Sequence, residues 1–210
     1  IMTTINKEIA IIDLEIGNIG SVFRALKKIG SNPIICEKKS DFFSASKIIL
    51  PGVGSFNYGM SKLIEKNLYE PLLDSVINKQ IPFLGICLGM QMLATKGFEN
   101  NVETMGLNLI GGDVNKIRSN NKIKLPHMGW NEVDQSKKVR LFENIKNNKD
   151  FYFVHSYAFN PKDKSTISSY SKYGEKFVSS IEKNNIYGVQ FHPEKSLDDG
   201  ITLLKNFLVC

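Results

Sequence analysis

The chain has 210 residues, 42% of them hydrophobic and 23% charged, with a formal net charge of +6. That length suits one well-buried domain, and no apolar run is long enough to cross a bilayer as a helix. The lysines behind the positive charge are scattered among asparagines rather than gathered with arginines, which reads as a solvated surface and points away from nucleic acid.

The opening segment, IMTTINKE, has no basic start, apolar middle or small-residue cleavage site, so it is not read as a secretory signal. Ile1 is read as an addition ahead of a natural start at Met2, and a cytoplasmic location with no membrane association is expected. Ile9 to Asp13 is a short apolar run that predicts a strand. After Gly17-Asn18, a helix is expected over Ser21 to Ile29, where Val22, Leu26 and Ile29 recur at helical spacing and Gly30 provides the stop. Pro33 to Cys36 and Lys47 to Leu50 are further strands, Leu72 to Asn78 reads as an amphipathic helix, and Ile81 to Ile86 as a buried strand. A helix is then expected beside Cys87, running through Met90, Leu93 and Ala94. Apolar strands alternating with helices predict an α/β domain whose sheet is covered on both faces.

Beyond Leu109 the chain changes character. Short strands are expected at Trp130 to Val133, Phe151 to Val154, Thr166 to Tyr170 and Tyr187 to Gln190, separated by polar stretches such as Arg118 to Lys124 and Asn144 to Lys149. A final helix covers Ile201 to Leu208. With no repeat and no Pro-rich linker, one domain over residues 2–210 is predicted.

Three cysteines, Cys36, Cys87 and Cys210, cannot all pair and form no CxxC, which argues against a disulfide framework and a zinc site. Cys87 has the setting of a nucleophile. It follows a buried strand, precedes a helix, and stands between Gly85 and Gly89, as in a tight turn that presents a side chain at the carboxyl edge of a sheet. A helix start beside it favours the thiolate, and the Leu88 N–H can face an oxyanion. Cys36 and Cys210 lack this setting.

Of the three histidines, His192 lies at a strand end in Gln190-Phe191-His192-Pro193-Glu194. A carboxylate two residues on can fix the imidazole tautomer while the other ring nitrogen faces the thiol. His155 can line the same cleft. Without a carboxylate nearby, His155 and His127 are read as positional groups rather than acids or bases.

These residues resemble a family. GICLGMQ (Gly85 to Gln91) with His192-Pro193-Glu194 is similar to the triad-type, class I glutamine amidotransferases. PGVGSF (Pro51 to Phe56), PHMGWN (Pro126 to Asn131), YFVHSY (Tyr152 to Tyr157) and QFHPEKS (Gln190 to Ser196) resemble the glutaminase subunits of imidazole glycerol phosphate synthases, from Asp13 to Phe207.

The resemblance implies a mixed, mostly parallel sheet flanked by helices, no cofactor and no metal, and hydrolysis of L-glutamine through a thioester on Cys87. His192 would protonate ammonia and then activate water, with Glu194 orienting it. The backbone of Gly52, Val53 and Gly54 with that of Leu88 would form the oxyanion site. Gln91, Glu99 and the backbone of His155, Ser156 and Tyr157 would hold glutamine. Ammonia would pass to a separate (β/α)8 cyclase subunit in a heterodimer, met by Asn18, Trp130, Tyr152 and Lys195. Glutaminases of this kind are quiet until the partner binds its acceptor, and a flexible PGVG is expected to be the switch.

The segment Leu14-Glu15-Ile16-Gly17-Asn18 departs from the aromatic and methionine common before Gly-Asn in the family, and Gly111-Gly112 and Ala158-Phe159 are also off pattern. A paralogous glutaminase feeding a cyclase-like partner in surface-sugar synthesis therefore fits the same motifs. A non-catalytic regulatory subunit, or a related cysteine hydrolase, fits fewer of them.

Overall fold

The computed structural model describes residues 8–118 and 123–210. The start at Met2 and most of the Arg118 to Lys124 stretch lie outside the described residues.

The amino-terminal half alternates as expected: β1 (Glu8–Ile12), α1 (Ile19–Lys28), β2 (Asn32–Cys36), β3 (Ala45–Gly52), α2 (Phe56–Glu65), α3 (Tyr69–Leu73) and β4 (Phe83–Cys87). α3 runs on into a π-helical turn over Asp74–Asn78, so the amphipathic stretch is longer than its periodicity suggests. α4 (Leu88–Gln91) is a single turn rather than the longer helix expected through Ala94. It stops because the chain is drawn into a second sheet, where Thr95 N–H donates to Gly112 O and Gly106 N–H to Thr95 O.

The carboxyl-terminal half supplies β5 (Lys96–Glu99), β6 (Val102–Met105), β7 (Gly112–Lys116), β8 (His127–Gln135), β9 (Lys149–His155), β10 (Tyr157–Pro161), β11 (Ile167–Tyr173), β12 (Glu175–Lys183), β13 (Ile186–Val189) and α5 (Leu197–Val209). The main sheet has nine strands in the order β2-β1-β3-β4-β13-β12-β11-β8-β9. From β2 to β13 the strands are parallel, and from β12 to β9 antiparallel. It is the mixed sheet the motifs implied. The four-stranded sheet β10-β7-β5-β6 had no counterpart in the sequence reading.

Why the parallel strands read as unbroken apolar runs is visible in how each divides its side chains. Ile9, Ile11, Ile49, Leu84 and Ile86 pack under α1 and α5 with Val22, Leu26, Leu203, Leu204 and Phe207. Ala10, Ile12, Ile48, Leu50 and Phe83 pack on the other face with Met60 and Leu63 of α2 and Leu72 of α3. With both faces covered, only the strand ends are left for chemistry. β4 and β13 are adjacent and parallel, with Val189 opposite Ile86, so the segments that follow them emerge side by side at the same edge.

Candidate active site

Cys87 stands at that edge with φ 54° and ψ −107°, a backbone conformation that L residues rarely adopt. The neighbouring glycines make it possible. A Cβ on Gly89 would collide with the Leu50 carbonyl, and one on Gly85 would lie 2.5 Å from Gly89 O. The strand and the helical turn can approach this closely only because both positions lack side chains. Because α4 is one turn long, the thiol faces a few first-turn amides rather than the accumulated dipole of a long helix.

The Cys87 thiol is buried. Its Sγ donates to Val154 O at 3.7 Å and accepts from Gln190 Nε2 at 3.6 Å. His192 follows β13 and is fully buried. Its Nδ1–H donates to Glu194 Oε1 at 2.8 Å, and both side chains are fully excluded from solvent. Since the carboxylate can only accept, Nδ1 keeps its proton in either charge state, and in the neutral ring Nε2 is the bare nitrogen. That Nε2 is buried with no hydrogen-bond partner among the described residues. Burial works to lower the His192 pKa, but Cys87 and the Glu194 carboxylate together raise it above the ordinary histidine value. Desolvation and a paired charge act in opposite directions, and here the charge dominates.

Asn18 was expected at the partner face, and its side chain reaches into the site. Its Nδ2–H donates to Glu194 Oε1 at 2.6 Å and lies 3.3 Å from His192 Nδ1. The residue holds φ 73°, a left-handed conformation asparagine tolerates better than most residues.

Beside the thiol is a cavity of about 400 Å³, lined by Val53, Gly54, Cys87, Leu88, Gln91, Glu99, Pro126, Val154, His155, Ser156 and Tyr157. Nearly every residue expected to touch a substrate is therefore gathered here. Gly52 sits opposite Cys87 in the β3–β4 register, just behind the lining, with Ile16 and Leu88 against it. Gln91 Nε2 donates to Tyr157 O at 2.9 Å and to Gln190 Oε1 at 3.0 Å. Both amide hydrogens are thus used, and the group it can still offer is its oxygen. Glu99 accepts from Phe56 N–H through Oε2 at 2.7 Å, which ties the start of α2 to the cavity wall.

The expected partner-facing residues cluster as well. Trp130 and Tyr152 are cross-strand neighbours in β8–β9 with ring centroids 6.0 Å apart. Lys195 Nζ lies 5.7 Å from the Tyr152 ring. Trp130 is 49% and the adjacent Met128 62% exposed.

Gln190 and Val154, which contact the thiol, were not singled out from the sequence. Nothing in the sequence around Gln190 marks it: its burial and its bonds to Cys87 and Gln91 exist only in the fold. Among the described residues no group of three or more histidines, cysteines and carboxylates is arranged to hold a metal, and no helix is long and apolar enough to cross a membrane.

The family model for class-I glutamine amidotransferases matches residues 10–210. The chain is 45% identical over 200 residues to "Imidazole glycerol phosphate synthase subunit HisH 1" of Campylobacter jejuni, covering 95% of this chain and 98% of that one. It is also 45% identical to the HisH subunit of that synthase from Pelagibacter ubique, with the same coverage. Among solved structures, PurLQS from Thermotoga maritima superimposes with a TM-score of 0.73 at 16% identity over 96% of this chain and 97% of that one, a likeness of fold alone.

Proposed function

We propose a function for this chain from one premise: it belongs to the class-I glutamine amidotransferase family. It is the glutamine-hydrolysing subunit of an imidazole glycerol phosphate synthase and serves histidine biosynthesis. Residues 2–210 act as one glutaminase domain in the cytoplasm. The observation that carries this is the convergence of Cys87 and the His192–Glu194 pair at one sheet edge, beside a cavity sized for a small amino acid.

In the reaction, Cys87 Sγ attacks the side-chain amide carbon of glutamine. The backbone N–H groups of Leu88 and of the Gly52–Gly54 segment hold the developing oxyanion. His192 Nε2 takes the thiol proton and delivers it to the departing ammonia, leaving a γ-glutamyl thioester on Cys87. His192 then removes a proton from water, which attacks the thioester to release glutamate and restore the thiol. Glu194 keeps the imidazole in the required tautomer. Gln91 offers its oxygen to the substrate ammonium, and Glu99 and the 155–157 backbone complete the hold on the amino acid.

Ammonia leaves toward a separate cyclase of (β/α)8 form that docks on Asn18, Trp130, Tyr152 and Lys195. In this resting arrangement the thiol donates to Val154 O rather than to His192, which fits an enzyme that waits for its partner's acceptor. Glutamine turnover by the purified chain, alone and with the cyclase and its acceptor, tests the reading. A chain with no turnover in either setting would overturn it. The off-pattern Leu14-Glu15-Ile16 segment keeps the surface-sugar paralogue as the second reading. Rescue of a strain lacking the histidine-pathway glutaminase, with its cognate cyclase supplied, separates the two.

A further inference from the structure

The side chains of His127 and His155 take no part in the reaction just described, yet both are buried. They face each other across β8 and β9, with His127 Nδ1 3.0 Å from His155 Nε2. His155 Nδ1 is 2.9 Å from Tyr157 O, and His127 Nε2 is 3.2 Å from Asn131 Nδ2.

Both ends of this chain of contacts have a fixed sense. Tyr157 O is a carbonyl and can only accept, so His155 Nδ1 carries a proton. At the far end, the Asn131 amide is pinned by two backbone groups. Its Nδ2 donates to Lys172 O at 3.0 Å, and its Oδ1 accepts from Glu132 N–H at 2.8 Å. Nδ2 is therefore what His127 Nε2 meets, and that nitrogen must accept. The remaining bond then has one solution, His127 Nδ1–H donating to His155 Nε2. Starting from either end yields the same tautomers. A second proton on either ring would set one N–H against another.

The surroundings agree. His127 is stacked between Tyr173 and Phe153, with centroids at 4.1 and 5.0 Å, and Phe177 lies 4.9 Å from His155. Burial drives the His127 pKa down to about 4 and that of His155 to about 3; at His155 the bond to the Tyr157 carbonyl opposes the effect, and His127 and His192 add to it. Among the described residues neither ring faces a carboxylate that would favour its charged form.

We propose that Asn131, His127 and His155 form a one-way hydrogen-bond relay that positions the Tyr157 carbonyl, and with it the 155–157 wall of the substrate cavity. Tyr157 O receives His155 Nδ1–H on one side and Gln91 Nε2–H on the other. Both of its lone pairs are engaged, so this carbonyl is a fixed anchor for Gln91, and the other backbone groups of the 155–157 wall are those left to meet substrate. The two histidines are positioning residues, acting through Tyr157 and Gln91. The inference deepens the glutaminase reading and rests on it for the identity of the ligand.

Two measurements on the full-length chain test the relay, the kinetic one with the cyclase and its acceptor present. Nitrogen-15 NMR of the histidine rings should show both His127 and His155 neutral and protonated at Nδ1, the rarer tautomer in water. A proton on Nε2 of either ring would overturn the relay whatever the protein binds. In the second, His127→Phe keeps the aromatic stack but removes the donor to His155. It should raise the KM for glutamine about tenfold while kcat changes by a smaller factor, and His127→Asn, which restores a donor, should recover part of the loss. An unaltered KM in a folded His127→Phe chain would overturn the proposal. Failure of the unsubstituted chain to turn over glutamine with its cyclase and acceptor present would instead count against the glutaminase reading, with the ring tautomers then deciding the relay.

Discussion

Asn18 and Glu194, 176 positions apart in the chain, are joined by a 2.6 Å hydrogen bond from the Asn18 amide to the carboxylate oxygen that also holds His192. A residue expected to meet the partner is thus one bond from the carboxylate proposed to orient His192. Asn18→Gly keeps the left-handed backbone at φ 73° and deletes the donor. A hydrogen bond to a charged group is worth about 1.5–3 kcal/mol, so kcat for glutamine should fall at least about tenfold with little change in KM. An unchanged kcat would reduce Asn18 to a surface contact.

Removal of the thiol is the most direct test of chemistry. Cys87→Ala should lower glutamine hydrolysis by at least about 10³-fold while binding of the cyclase is retained. Mass spectrometry of the unsubstituted chain quenched during turnover should show a glutamyl adduct on Cys87 and none on Cys36 or Cys210.

Packing behind the oxyanion segment yields a paired prediction. A Cβ at Gly52 would sit 2.9 Å from Ile16 Cδ1 and 3.3 Å from Leu88 Cβ. The nearer obstacle is the tip of a flexible side chain, so Gly52→Ala should fold with a melting temperature a few degrees lower and a reduced kcat. Adding Ile16→Val removes that tip and should restore part of both. Gly89→Ala, which meets the Leu50 carbonyl instead, should fail to accumulate as soluble protein. The contrast follows from backbone being unable to yield where a methyl group can.

Stability should fall with acid in a window set by the buried imidazoles. The folded-state pKa values of about 4 for His127 and about 3 for His155 lie below the unfolded value near 6.5. Below pH 6.5 the unfolded chain takes up protons that the folded chain refuses. The contribution is therefore fully present above about pH 6.5 and is lost as pH falls toward 4 and then 3. Its upper bound is on the order of 3 kcal/mol for His127 and on the order of 5 kcal/mol for His155. Urea unfolding between pH 7 and pH 4.5 should show a shallower decline for His127→Phe than for the unsubstituted chain.

Trp130→Ala should weaken cyclase binding about thirtyfold, corresponding to about 2 kcal/mol for an aromatic anchor. Its melting temperature should barely move, because half of the indole is already in solvent. Equal binding by the variant would place the docking surface elsewhere.

Much of the site could be read from the sequence because its parts are local. The turn around Cys87 and the pair His192 and Glu194 each lie within a few residues, and the apolar strands announce a covered sheet. α2 escaped notice although its signals were present: Ser55 caps it by accepting from Tyr58 N–H, and Phe56, Met60 and Leu63 are buried. Gly59 interrupts that stripe because Leu88 and Met92 occupy the space where a side chain would stand. The small second sheet was hidden for a different reason. Val102 to Met105 is largely exposed and only half apolar, so its pairing depends on distant partners rather than on its own pattern. The same holds for Asn18 and Gln190, whose roles are set by contacts more than a hundred positions away.

The position of β13 between β4 and β12 has a bearing on folding. The segment that carries Gln190 and His192 lies more than a hundred positions beyond Cys87, yet its strand pairs directly with the strand that ends at the thiol. The first four strands can pair among themselves, but His192 reaches that edge only once β13 has closed against β4. Closing so long a loop is entropically costly, so the meeting of His192 with the thiol's edge belongs to the late stage of folding.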